Sequence, residues 1–135
     1  MPNFKRMLSP QTLRQAGQNA GEYVVAYLSP YAPSSSANTP PAPYYVRGRG
    51  TTYASGFNDG SSENMLQRWS VKAGSNVTHV RNTASYSGYV SGLQQTRIHE
   101  RRGWKSQRKF MKSQKELDGM GRAYLRPILK AGGVK

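Results

Sequence analysis

The chain has 135 residues, a hydrophobic fraction of 36% and 20 Lys+Arg against 6 Asp+Glu, for a formal net charge of +14. That length fits one domain with an appended arm, and so small an apolar share suits either a small core that depends on neighbouring molecules for part of its burial or a partly disordered chain. Cysteine is absent, which excludes disulfides and thiolate metal sites, and no apolar run approaches the roughly 20 residues that span a bilayer.

The N-terminal MPNFKRM is basic but lacks the continuous apolar stretch of a secretory signal. Ser9-Pro10 opens a helix expected over 9–29, with Ser as N-cap and Pro at the first helical position, where a missing N–H is harmless. Leu13, Ala16, Gly17, Ala20, Val24, Tyr27 and Leu28 then share one helical face. Gly17 and Gly21 weaken that helix by about 1 kcal/mol each relative to Ala, and their missing side chains would let it lie close against a sheet. Pro30 ends it, because the residue before a proline is pushed out of the α region.

Residues 30–62 read as a Pro/Ser/Gly-rich arm and loop. Ser29–Pro43 carries five prolines and four serines in 15 residues, a composition that favours extended or polyproline conformations over a packed face. It suits either a flexible linker or an arm laid across a neighbouring subunit. Tyr44-Tyr45-Val46 forms a short strand at its end, and Arg47-Gly-Arg-Gly50 reads as a loop.

The sheet region is expected over 63–104. Leu66–Ala73 alternates, with Trp69 and Val71 on one side and Arg68, Ser70 and Lys72 on the other, the period of a half-buried strand. Gly74-Ser75 suits a hairpin turn, Asn76–Asn82 returns as a second strand, and Tyr86–Val90 makes a third. The fold class is α+β: a small antiparallel β-sheet of three to four strands flanked by an N-terminal helix and a basic C-terminal helix. The C-terminal helical region, 105–131, carries the stripe Phe110, Leu117, Tyr124 and Ile128, widened by Met111, Met120 and Leu125. A kink is expected near Gly119 and Gly121, and a disturbance at Pro127.

Little in the chain can do covalent chemistry. Its two histidines, His79 and His99, are not spaced as a metal-binding helical pair, and no Gly-x-Ser-x-Gly elbow, P-loop or dinucleotide fingerprint occurs. No enzymatic activity, metal, cofactor or small-molecule substrate is expected. The charge is the stronger signal: 12 cations against 3 acids lie in residues 97–135, which points to a polyanionic partner, nucleic acid phosphate or an acidic protein surface. Arg97, Arg101, Arg102, Lys105, Arg108, Lys109 and Lys112 are the basic partner-binding candidates. On a helix, Arg101, Lys105, Arg108, Lys109 and Lys112 would share one side, with Trp104 and Phe110 interleaved as in surfaces that pair phosphate contacts with base stacking. Such a run also suits a solvated helix face. The nine tyrosines fit protein–protein interfaces or half-buried strands.

The segment Val80–Trp104 combines an Asn, a Tyr-rich strand pattern, Gln95-x-x-x-His99 and Gly103-Trp104. In Val80, Asn82, Tyr86, Tyr89, Val90, Gly92, Gln95, His99, Gly103 and Trp104 it resembles the signature of the tail-completion (head–tail joining) proteins of long-tailed double-stranded DNA bacteriophages. The resemblance covers roughly Arg49 to Trp104. It implies a subunit that forms a ring, usually six-fold, in the neck of the virion, made in the host cytoplasm. That ring joins the tail tube or terminator to the head connector or stopper proteins around the DNA channel. Asn82, Tyr86, Tyr89, Gln95, His99 and Trp104 become the candidates for a subunit interface or clasp. The proline-rich insert is longer, and the C-terminal segment more basic, than is usual there. The alternative, carried by charge alone, is a basic nucleic-acid-binding protein, ribosomal-like or architectural; a small hydrolase acting on an acidic polymer is a third reading.

Overall fold

The computed structural model describes residues 1–30, 44–46, 50–52, 68–84, 87–101 and 103–134. The elements in chain order are α1 (Phe4–Met7), α2 (Pro10–Leu28), β1 (Tyr44–Val46), β2 (Gly50–Thr52), β3 (Trp69–Ala73), β4 (Thr78–Asn82), α3 (Ser87–Val90), α4 (Arg97–Arg101), α5 (Gln107–Lys112) and α6 (Gln114–Ala131). Helix and strand are mixed, as in an α+β protein. The strands pair two by two, β1 with β2 and β3 with β4, and the expected single sheet of three to four strands is not seen among the described residues. Two compact units result: Met1–Tyr27 with Ser70–Arg81 and Phe110–Lys135, and Leu28–Trp69 with Asn82–Lys109.

The first unit is built on α2. Ser9 Oγ accepts from the Thr12 amide at 3.2 Å, the N-cap bond that the Ser-Pro start calls for. The helix runs to Leu28, and Ala16, Gly17 and Gly21 are buried on its inner face. The hairpin β3–β4 lies directly on those glycines: a Cβ at Gly17 would overlap Thr78 Oγ1, and one at Gly21 would overlap Val71 Cγ1. Val71, Ala73, Thr78 and Val80 are half-buried while Ser70, Lys72, His79 and Arg81 are exposed, the alternation expected of a strand covered on one side. The Gly74 amide closes the turn onto the Val77 carbonyl at 2.8 Å.

Phe110, 5% exposed, fills the gap beside α2. Its ring meets Tyr27 edge-on at 5.1 Å and Tyr23 at 6.4 Å, contacts worth about 0.5–1.5 kcal/mol each beyond their burial. Ser113 then caps α6 by accepting from the Glu116 amide at 3.3 Å. The chain thus breaks at Ser113, and α6 is continuous helix through Gly119, Gly121 and Pro127. Gly119 is a packing position instead, because a Cβ there would overlap the Tyr23 hydroxyl. Leu117, Tyr124 and Ile128 are half-buried as their spacing implies, but Met111 and Leu125 face outward. The short helix α1, unforeseen in the sequence, is capped by Asn3 and tied to the end of α6 by Asn3 N–H to Gly132 O at 3.2 Å.

In the second unit β1 and β2 pair antiparallel, Tyr44 opposite Thr52 and Val46 opposite Gly50. β1 falls where expected; β2 lies in a stretch expected to be loop. The third strand expected over Tyr86–Val90 is not one. Ser91 N–H bonds to Ser87 O at 2.9 Å and Gly92 N–H to Gly88 O at 3.1 Å, so residues 87–90 close a helical turn. These i to i+4 bonds take the carbonyls of Ser87 and Gly88, and Thr96 N–H takes that of Tyr89 at 2.9 Å, overriding the β preference of Tyr and Val. The expectations for the arm over 31–43, for Arg47-Gly-Arg49 and for Tyr86 lie outside the described residues.

Candidate partner-binding surface

Asn82 closes β4 with a side-chain turn: its Oδ1 accepts from the Ala84 amide at 3.0 Å and its carbonyl from Ser87 Oγ at 3.3 Å. This turn redirects the chain into α3 and places Val90 and Ser91 in the interior, 5% and 2% exposed.

Gln95 sits at the centre of the segment. Its Nε2 donates to Val90 O at 2.8 Å and to Trp104 O at 2.9 Å, bridging a carbonyl before it and one after it with one amide group. Thr96 precedes α4, and its Oγ1 meets His99 Nδ1 at 2.7 Å. His99 O accepts from the Trp104 amide at 3.1 Å, and the two rings meet edge-on at 6.4 Å. This reversal depends on Gly103, whose φ of 83° lies where a side chain is strained. Trp104 is only 4% exposed, and the Gln107 amide finishes the bracket on Ser91 O at 2.7 Å. Of the six clasp candidates, Gln95, His99 and Trp104 are thus brought together, within one subunit. Asn82 works at the entry turn, and Tyr89 faces outward, 52% exposed. Val90, part of the phage-like pattern but not of the clasp set, is equally deep, as are Ser91 and Ser106, which no sequence pattern marks; Ser106 Oγ accepts from the Lys109 amide at 3.2 Å at the start of α5.

The basic candidates do not share one helix side. Arg97 and Arg101 belong to α4, Lys105 to the link after Gly103, and Arg108, Lys109 and Lys112 to α5. The left-handed Gly103 breaks the continuous helix that the spacing suggested. All six are exposed, and Arg108 Nη2 donates to Leu93 O at 3.1 Å; Arg102 lies outside the described residues. Trp104 and Phe110, the two interleaved aromatics, are buried. Base stacking on either is therefore closed off, and what remains is an outward array of charge.

The Tyr23 hydroxyl donates to Glu116 Oε2 at 2.8 Å. That bond, then burial and the Glu116 charge, hold the Tyr23 pKa above the usual tyrosine value; burial and then the Glu116 charge do the same for Tyr27. Among the described residues no group of three His, Asp or Glu is placed to hold a metal ion, and no helix is long and apolar enough to cross a membrane. No family model matches the chain, and no curated protein or solved structure is found similar to it.

Proposed function

We propose that the chain is a structural subunit of a tailed-phage virion, a ring-forming tail-completion or head–tail connector protein at the neck. There it would join the tail tube to the capsid connector around the DNA channel, acting by assembly without turnover or cofactor. The observation that carries this reading is the Val80–Trp104 segment. The residues of its phage-like pattern include Gln95, His99 and Trp104, which converge on one bracket, while Tyr89, Arg97, Arg101 and Lys105 are left outward. A buried bracket beneath an exposed aromatic and cations is what a small subunit needs to present a fixed face to neighbours. Homo-oligomerisation, as a hexamer, and contact with terminator or stopper proteins and packaged DNA belong to the same reading. So does a sheet of three to four strands.

Negative-stain imaging and native mass spectrometry of the protein, alone and with its neck partners, should give closed rings. A chain that stays monomeric under both conditions and binds duplex with a steep inverse salt dependence would favour the nucleic-acid reading instead. In the virion, the triple variant Arg101→Glu, Lys105→Glu, Lys109→Glu should uncouple tail from head; intact particles would count against an acidic partner for these cations.

A further inference from the structure

The outward side of α6 carries cations and leucines in two parallel rows. At about 100° per residue, Arg122, Arg126 and Lys130 follow one another at successive turns along one edge. Leu125 and Leu129 do the same along the adjoining edge. All five side chains are exposed, the leucines by 48% and 39%. Beside the arginine row runs an open groove of about 480 Å³ between α2 and α6, with Gly119 and Ala123 on one side and Asn19, Glu22 and Tyr23 on the other. None of these residues takes part in the Gln95 bracket or in the cations of α4 and α5.

We propose that this face of α6 binds an acidic amphipathic helix of another protein, its carboxylates on Arg122 and Arg126 and its apolar side chains on Leu125 and Leu129. Both rows repeat every four residues, about 6 Å along the axis, which is the period of a partner helix lying nearly parallel to α6. Like charges one turn apart repel on a bare helix, and a row of carboxylates would relieve that. Glu22, whose Oε1 accepts from Gln18 Nε2 at 3.0 Å, lines the same groove from α2. A nucleic acid would cover the cations and leave both leucines in water. A second copy of this chain, with 6 acids against 20 cations, is the wrong sign. The inference goes beyond the connector reading and stands without it.

The test is fluorescence anisotropy on the full chain with a labelled synthetic helix carrying Glu at every fourth position and Leu on the adjoining row. The comparison probes are the same peptide with Leu replaced by Ser, a short DNA duplex, and phosphatidylserine vesicles. The acidic Leu peptide should bind saturably. Arg122→Glu with Arg126→Glu, and separately Leu125→Ser with Leu129→Ser, should each weaken it about tenfold or more, with unchanged far-UV ellipticity because all four positions are exposed. The Ser peptide should bind as weakly as the leucine variant does, and the Arg101/Lys105/Lys109 triple variant should bind as the parent. Equal binding of both peptides, or no effect of the leucine variant, overturns the proposal in favour of charge alone. Duplex or vesicle binding that the arginine variant abolishes, without peptide binding, overturns it in favour of those surfaces. Failure of the connector reading shows instead in ring formation and the triple variant, which this assay does not touch.

Discussion

Gly21→Ala sets two terms of opposite sign against each other. Alanine in a helix interior is favoured over glycine by about 1 kcal/mol. Against this, the new Cβ would overlap Val71 Cγ1 and stand 3.1 Å from Thr78 Cγ2 and 3.3 Å from Val71 Cγ2. Both methyls of this β-branched side chain crowd the site and its rotamers are restricted, so relief comes from the hairpin retreating from α2. Gly17 packs on the same Thr78, so a retreat loosens its contact as well. Overpacking of this kind costs about 1–3 kcal/mol; the upper part of that range applies, and the net loss is about 2 kcal/mol. Gly121→Ala is the matched control, since nothing lies within 4 Å of its Cβ position. It should stabilise by about 1 kcal/mol. Urea unfolding followed by far-UV ellipticity therefore should separate the two variants by about 3 kcal/mol, and Val71→Ala should recover part of the Gly21→Ala loss. If Gly21→Ala stabilises as much as Gly121→Ala, the close approach of hairpin and helix is wrong.

Gln95→Met keeps the bulk of the side chain but removes both bonds, leaving the Val90 and Trp104 carbonyls short of a donor at a cost of about 2–4 kcal/mol. In a Trp69→Phe background the Trp104 emission should move to the red at lower denaturant than in the parent; coincident curves would refute the bracket. Trp104→Ala empties a buried site and should cost about 3–5 kcal/mol, so lost assembly in that variant counts only if a melting curve shows the monomer still folded. Tyr23 ionises above its ordinary 10.0 because its hydroxyl donates to Glu116. A raised tyrosine lends stability that is complete below that ordinary value and fades as pH climbs through the higher one. Tyr23→Phe should remove a late-ionising tyrosine from an ultraviolet titration and flatten the alkaline loss of stability. Loss of a tyrosine that ionises at the ordinary value instead would exclude the bond.

Where a local signal and the packing agree, the residues are legible. Ser9, Pro10 and Pro30 bracket α2, the small side chains of Gly17 and Gly21 meet a sheet, and the Trp69–Ala73 alternation matches its two faces. Where packing decides alone, the residues mislead. Tyr and Val at 89–90 promise a strand, but the carbonyls of Ser87 and Gly88 accept i to i+4 bonds from Ser91 and Gly92 and make the segment a helical turn. Gly119 and Gly121 look like breakers, yet one is a seat for Tyr23 while Ser113 makes the real break. Gln95, His99 and Trp104 can be selected by pattern, but the acceptors of Gln95 are backbone carbonyls. Only the left-handed step at Gly103 brings one of them, that of Trp104, within reach.

The first unit is assembled from three separated stretches, 1–27, 70–81 and 110–135. During synthesis, α2 leaves the ribosome with its glycine face bare, and Phe110 and α6 arrive last. Chains emerge at about 5–20 residues per second, so α2 waits several seconds for its final partners. An unfinished chain thus exposes the surface that β3, β4 and Phe110 later cover. A chain cut before residue 110 therefore carries α2 without α6 and without the Phe110 ring that meets Tyr27.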